Sequence, residues 1–300
     1  MNTARYIALG AFDGLHLAHL AVLDAAVRGG AAYGLEPAVL LFERHPQQLL
    51  AGRAPPLLLE DADRDARLRS MGLTLLRLPF EDLRGLAPEA FFAQILLRDL
   101  KAGALSCGYH FRFGAHAAGD AALLQRLCAA AGIALTVVPR IDYAEQPISS
   151  TRIRKALLAG DCAAAAAMLG RAFGYSFPVE RGERIGRTLG APTLNQHFPP
   201  GFCVPRHGVY AAQALVEGTW RPAVTNIGRR PSFQSGGLRS ETHILGFDGD
   251  LYGRRIPVAL LRFLRAEQKF DSRAALSAQI AHDKERAAQC YASESPTPDP

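Results

Sequence analysis

The chain lacks paired cysteines, long apolar runs, clustered charge and all but a few lysines, and each shortage removes a class of protein. Its five cysteines (Cys107, Cys128, Cys162, Cys203, Cys290) are odd in number, widely scattered and free of any C-x-x-C pair. That excludes a disulfide scaffold or a zinc ribbon and points to a reducing compartment. No apolar run approaches the roughly 20 residues of a spanning helix, and the alanine-rich stretch from Cys162 to Leu169 is far too short. The first residues, MNTARYIALG, carry no basic region followed by an apolar core, so we expect no secretory signal and a cytoplasmic location. Only four of the 34 basic residues are lysines. Up to residue 172 there are 18 basic against 16 acidic residues, and after it 16 against 12, with no basic block and no interleaved aromatics. A nucleic-acid footprint would be clustered, so the charge is better read as complementarity to phosphate ligands.

What is present is enough for two cores: 300 residues, 49% of them apolar and 21% charged. The first half alternates short apolar runs (5–10, 38–42, 74–78, 104–107, 135–139) with helical patterns (17–28, 88–100, 121–131). This predicts βαβ units and a mostly parallel sheet covered on both faces. Two short helices follow, 152–159 and 162–169, with Asp161 as N-cap and Gly170 closing the second. From Phe173 onward Gly and Pro become frequent and the apolar runs shorten (209–216, 221–227, 241–247, 256–264), which predicts a small antiparallel barrel. A final helix covers 272–289, and the tail is left without structure. The expected division is 1–172, 173–290 and a flexible 291–300.

Two stretches of the first half favour an anion. After the first strand, Gly10-Ala11-Phe12-Asp13-Gly14-Leu15-His16-Leu17-Ala18-His19 turns into a helix whose free N–H groups attract phosphate. His16 and His19, three apart, share one face of that helix, although a surface pair or two of three zinc ligands would look alike. Ser149-Ser150-Thr151-Arg152-Ile153-Arg154-Lys155 opens another helix with basic residues in its first turn and no acidic capping-box partner. An ordinary serine cap with solvated arginines gives the same pattern, whereas an anionic ligand would offset the unfavourable charge at a helix start.

Together with Phe42-Glu43-Arg44-His45-Pro46 and Phe111-Arg112-Phe113-Gly114, these motifs resemble the FAD synthetase module of the bacterial bifunctional riboflavin kinase/FAD synthetase family. The resemblance implies an α/β nucleotidyltransferase (Rossmann-like) domain that adenylylates FMN with ATP and releases pyrophosphate. It implies that His16 and His19 contact the ATP phosphates, that Gly10, Phe12, Asp13 and Gly14 form the nucleotide loop, and that Ser150, Thr151 and Arg154 hold the triphosphate. The chain departs from the family pattern at Ala11, Ala18, His110 and Ala117. These departures leave a second reading open, a kinase whose first half has become a nucleotide-binding or structural module.

The second half offers Gly186-Arg187-Thr188-Leu189-Gly190-Ala191-Pro192-Thr193-Leu194-Asn195, which is not a Walker A loop because no G-K-[ST] follows the glycines. It continues with Thr225-Asn226-Ile227-Gly228-Arg229-Arg230-Pro231-Ser232-Phe233, Glu241-Thr242-His243 and Leu264-Arg265-Ala266-Glu267-Gln268-Lys269-Phe270. In order and spacing this resembles the riboflavin kinase module of the same family. It implies a six-stranded barrel that binds ATP, Mg²⁺ and riboflavin, with Gly186, Gly190 and Asn226 at the ligands, and Thr193 and Asn195 serving both ATP and the metal. Glu241 would be the base that takes a proton from the ribityl hydroxyl, since an alcohol is a poor nucleophile until that proton has somewhere to go. Arg265, Glu267 and Phe270 would either line the isoalloxazine pocket or cap the barrel against the last helix. The implied partners are riboflavin, FMN, FAD and ATP, with no nucleic acid and no membrane, in a monomer or weak homo-oligomer.

Overall fold

The computed structural model describes residues 4–43, 52, 54–180, 193–229 and 237–293. Gly186 and Gly190, the 44–46 motif residues, residues 230–233 and the end of the tail lie outside the described residues. The chain divides into two compact units, 1–150 and 151–300. This division precedes the compositional one at 172, because the helix Cys162–Leu169 packs on barrel strands.

In the first unit a five-stranded parallel sheet runs β1 (Arg5–Leu9), β2 (Glu36–Phe42), β3 (Thr74–Leu78), β4 (Ala102–Gly108) and β5 (Ala134–Val138), in spatial order β3-β2-β1-β4-β5. Ile7, Leu9, Leu40, Leu105 and Cys107 pack on one face with Phe91, Phe92, Leu96 and Leu124, and Tyr6, Ala8, Val39 and Leu41 on the other with Leu23 and Leu68. Both faces are therefore buried, as a continuous apolar strand such as RYIAL requires.

Helix α1 (Leu17–Tyr33) runs five residues beyond the sequence expectation. The Gly29-Gly30 pair that reads as a stop is instead a place of close approach, where a Cβ on Gly29 would collide with the Tyr6 ring. Helix α2 (Asp61–Ser70) was not expected from the pattern; one buried leucine, Leu68, anchors it, while Asp61 and Asp63 in the first turn and Arg67 and Arg69 in the last complement its dipole. The stretch expected as one regular helix over 88–100 becomes a wider turn across Phe91–Asp99, with the Leu100 N–H donating to the Ile95 carbonyl at 2.9 Å. Helix α3 (Ala121–Ala131) is capped by Asp120, whose carboxylate accepts the Leu123 N–H at 2.8 Å.

Helix α4 (Ser150–Ala159) leads into α5 (Cys162–Leu169), and the expected punctuation holds: Asp161 accepts the Ala164 N–H at 2.9 Å, and Gly170 closes α5 at φ 76°. The barrel follows as β6 (Phe173–Pro178), β7 (Leu194–His197), β8 (Gly208–Val216), β9 (Thr219–Arg229), β10 (Leu238–Ile244) and β11 (Arg255–Arg265), in spatial order β6-β11-β8-β9-β10-β7. Its seam is nearly closed. The Glu180 N–H donates to the Asn195 carbonyl at 2.8 Å, and the buried Gln196 side chain donates to the carbonyls of Phe177 and Ile256 at 2.7 and 2.8 Å. Helix α6 (Arg273–Ser293) lays Ala287 and Cys290 over Val209, Ala211, Leu261 and Leu264 on the barrel's outer wall. All five cysteines are buried and unbridged, as their scatter leads one to expect.

Candidate functional site

In an open α/β sheet, ligands bind beyond the carboxyl ends of the strands, where the strand order reverses. Here that point lies between β1 and β4, neighbours in the sheet whose crossover partners flank them on opposite sides. A cavity of about 660 Å³ opens there, lined from the end of β1 by Leu9, from the following turn by Gly10, Phe12 and His16, and from the end of β4 and the segment after it by Gly108 to Phe111. His19, on the first turn of α1, faces the same space. Among the described residues no carboxylate lines the cavity; its ionisable lining is four histidines, Arg84, Arg112 and Tyr109, with an aromatic wall that includes Phe80, Phe91 and Phe113. Such a wall suits a planar ring, and the rest suits an anion.

The two expected histidines act together. The His16 ring caps α1, its Nδ1 accepting the His19 N–H at 3.2 Å, and the two rings stack at 3.6 Å. Burial, reinforced by the neighbouring rings of His16 and His110, holds the His19 pKa well below the usual histidine range. The ring is therefore neutral at pH 7, and the clash between a cation and a helix N-terminus does not arise. His19 Nδ1 is buried with no hydrogen-bond partner among the described residues.

Gly10, Phe12, His16 and His19 line the cavity, whereas Asp13 and Gly14 do not. Asp13 is buried with its carboxylate accepting the Leu58 N–H at 2.9 Å. Gly14 sits at φ 80°, where a Cβ would overlap the Leu58 side chain at 2.9 Å. These two shape the back of the turn. Ser150 donates to the Asp13 carbonyl at 3.0 Å, which ties the start of α4 to the loop, and Thr151 and Arg154 follow on α4. The four departures (Ala11, Ala18, His110 and Ala117) all line the cavity. Arg84 and Tyr109 also line it and carried no motif in the sequence.

In the barrel, strand register assembles residues far apart in sequence. Asn195 on β7 lies opposite Glu241 on β10, which lies opposite Asn226 on β9. The row continues to Val209 on β8 and Arg265 on β11. Directly paired residues share a face, and Val209 fixes it as the outer wall that α6 covers. Thr225 and Thr242, one step along, bond each other at 2.9 Å on the inside. Arg239 Nε lies 3.2 Å from Glu241 Oε1. Asn226 donates to Glu267 at 3.1 Å, and its own Oδ1 is buried without a partner among the described residues. Asn195 donates to the Thr193 carbonyl at 3.4 Å, leaving its oxygen free of that bond. Arg265 is bound by Asp283 of α6 and lies 5.7 Å from the centre of the Phe270 ring, so it does cap the barrel against the last helix.

Among the described residues no group of three or more His, Cys, Asp or Glu side chains is placed to hold a metal ion. Mg²⁺ does not need one. It favours hard oxygens, retains waters and takes much of its shell from substrate phosphates, so the Thr193 hydroxyl and the Asn195 amide oxygen fit it chemically.

Two family models match the chain, FAD synthetase over residues 1–152 and riboflavin kinase over residues 169–291. A bifunctional riboflavin kinase/FMN adenylyltransferase of Escherichia coli (strain K12) is 36% identical over 282 residues, covering 93% of this chain and 90% of that one. A protein of the same description from Bacillus subtilis (strain 168) is 31% identical over 293 residues, covering 95% and 92%. Among solved structures, a Streptococcus pneumoniae chain described as a macrolide-efflux protein superposes with TM-score 0.85 at 27% identity, covering 96% of this chain and 95% of that one.

Proposed function

The chain belongs to the bifunctional riboflavin kinase/FMN adenylyltransferase family, and we propose which of its residues carry each of the two activities. It phosphorylates riboflavin to FMN with ATP and adenylylates FMN to FAD. The observation that carries the kinase assignment is the cross-strand row Asn195–Glu241–Asn226. It sets a carboxylate between two amides on one face of the barrel. Glu241 takes the proton of the primary ribityl hydroxyl as that oxygen attacks the γ-phosphorus of ATP and ADP leaves. Arg239 orients the carboxylate. Thr193 and Asn195 hold the nucleotide's phosphate end together with Mg²⁺, which when bound neutralises charge on the phosphates, and Gly186 and Gly190 of the same motif are assigned to the same nucleotide. Asn226 presents its buried acceptor to riboflavin.

In the first half, an oxygen of the FMN phosphate attacks the α-phosphorus of ATP and pyrophosphate leaves. No protein nucleophile is needed, so positioning and charge neutralisation supply the catalysis. The N-terminus of α1 and Arg112 supply positive potential, while His16 and the neutral His19 orient phosphate oxygens by hydrogen bonding. Gly10 and Phe12 shape the nucleotide's seat, Asp13 and Gly14 build the turn behind it, and Ser150, Thr151 and Arg154 close on the triphosphate. We assign residues 1–172 to this activity and 173–290 to the kinase, in a cytoplasmic protein that acts as a monomer or weak homo-oligomer, away from nucleic acid and membrane. Among the described residues no helix is long and apolar enough to cross a membrane.

The test is to incubate the protein with riboflavin, ATP and Mg²⁺ and separate the flavins by chromatography. FMN followed by FAD is the expected outcome. FMN that never proceeds to FAD, even when supplied directly, would return the first half to a silent module.

A further inference from the structure

Asp283 lies midway along α6 and is 2% exposed. Its carboxylate accepts Nε and Nη2 of Arg265 at 3.0 and 2.8 Å, and Nε2 of Gln279 at 3.0 Å. A carboxylate withdrawn from water is costly unless it is paired and hydrogen-bonded. An apolar pair of similar volume often holds two elements together equally well, so a buried ion pair is weak evidence for a stabilising role alone. The helix already has Ala287 and Cys290 packed on the barrel wall. What the pair orients is the more informative question.

Arg265 ends β11 in the same cross-strand row as Asn226 and Glu241. From there the chain runs through 266–270, and among the described residues the anchors of that segment begin at Arg265 or lead back to the row. Arg265 Nη1 donates to the Ala266 carbonyl at 3.1 Å, and the guanidinium lies against the Phe270 ring. Glu267 accepts from Asn226, and Gly228 leaves room for that carboxylate where a Cβ would collide with it. Asn226 is thereby turned so that its Oδ1 is buried and has no partner among the described residues, an acceptor open to a donor of the flavin.

We propose that Asp283 is a positioning residue for riboflavin: through Arg265 it fixes the 266–270 segment, and so the orientation of Asn226 and Phe270 on the flavin side of the kinase site. The proposal rests on the kinase reading above. It is tested by steady-state riboflavin phosphorylation on the full chain, comparing wild type, Asp283→Asn, Arg265→Lys and the double variant. Arg265→Lys keeps the cation and loses the two-pronged geometry. The expected result is a KM for riboflavin raised about tenfold or more in each single variant, with kcat within about threefold and the KM for ATP unchanged, a loss confined to flavin binding. The double variant is no worse than the more affected single one, because the two groups act as a unit. FMN adenylylation stays at the wild-type rate.

A purely structural pair would instead lower kcat in step with the folded fraction and leave the riboflavin KM alone, and that outcome overturns the proposal. If Asp283→Asn does not accumulate folded, Arg265→Lys decides by the same measure. Wild type that forms no FMN would instead sink the kinase reading itself.

Discussion

Glu241 and His19 make opposite uses of burial. Glu241 stays on the outer wall of the barrel, its Oε1 3.2 Å from Arg239 Nε and only part-buried. Replacing it with Gln keeps shape and hydrogen bonding and removes only the base, so riboflavin phosphorylation should fall by about 10²- to 10⁴-fold. Riboflavin binding and the conversion of FMN to FAD should be unchanged; retained turnover would mean that another group takes the proton. His19 is held neutral by burial and by its histidine neighbours. Its folded pKa lies below the unfolded value of about 6.5, so below that pH the unfolded chain binds the extra proton. Stability from this group is thus complete above about pH 6.5 and is lost as the pH falls below it. Unfolding midpoints measured from pH 8 down to 5 should fall more steeply in wild type than in His19→Gln, and parallel curves would contradict the assignment.

Among the elements, Gly208 is a position with no space for a side chain. It opens β8 at φ 144°, and a Cβ there would collide with the Arg265 carbonyl, a backbone atom that has nowhere to go. Gly208→Ala should cost at least about 2 kcal/mol, from the backbone conformation and the overlap together. Thermal unfolding should show the loss in the barrel, with kinase activity falling while FMN adenylylation persists. By contrast Asp161→Ala removes only one cap bond and should cost about 1 kcal/mol. The same elements show what a sequence can and cannot reveal. Strand β3 and helices α3 and α5 have the bounds that their apolar periodicity gives, because each carries its own local signal. Helix α2 has one buried apolar residue, and β7 reads LNQH, so neither has a pattern to find; tertiary contacts through Leu68 and Gln196 make them. For β6 the alternation was there in FGYSFP, with Phe173, Tyr175 and Phe177 buried, but short aromatic runs are easily passed over. The candidate sites follow the same logic. Motifs mark Glu241 and Asn195 singly, whereas their pairing is a property of strand register. Asp283 belongs to no motif, and only the fold brings it to Arg265.

At the scale of the whole molecule, each half has its own core and its own candidate site. The sheet is packed on both faces within residues 4–150, and the barrel wall is sealed by α6 within 151–293. Inactivating one site should therefore leave the other intact. FMN, the product of one activity and the substrate of the other, carries a phosphate that riboflavin lacks, and charged small molecules exchange readily through water. It follows that the intermediate need not be handed on within one chain. Glu241→Gln alone should convert FMN to FAD but make nothing from riboflavin. His19→Ala alone should stop at FMN, because it removes from the cavity the ring proposed to orient a phosphate oxygen. Mixing the two variants with riboflavin, ATP and Mg²⁺ should restore FAD, with free FMN rising first and then falling on the chromatogram. A mixture that accumulates FMN and makes no FAD, while the Glu241→Gln protein still uses added FMN, would show that the intermediate passes within a single molecule, and the independence of the two sites would have to be given up.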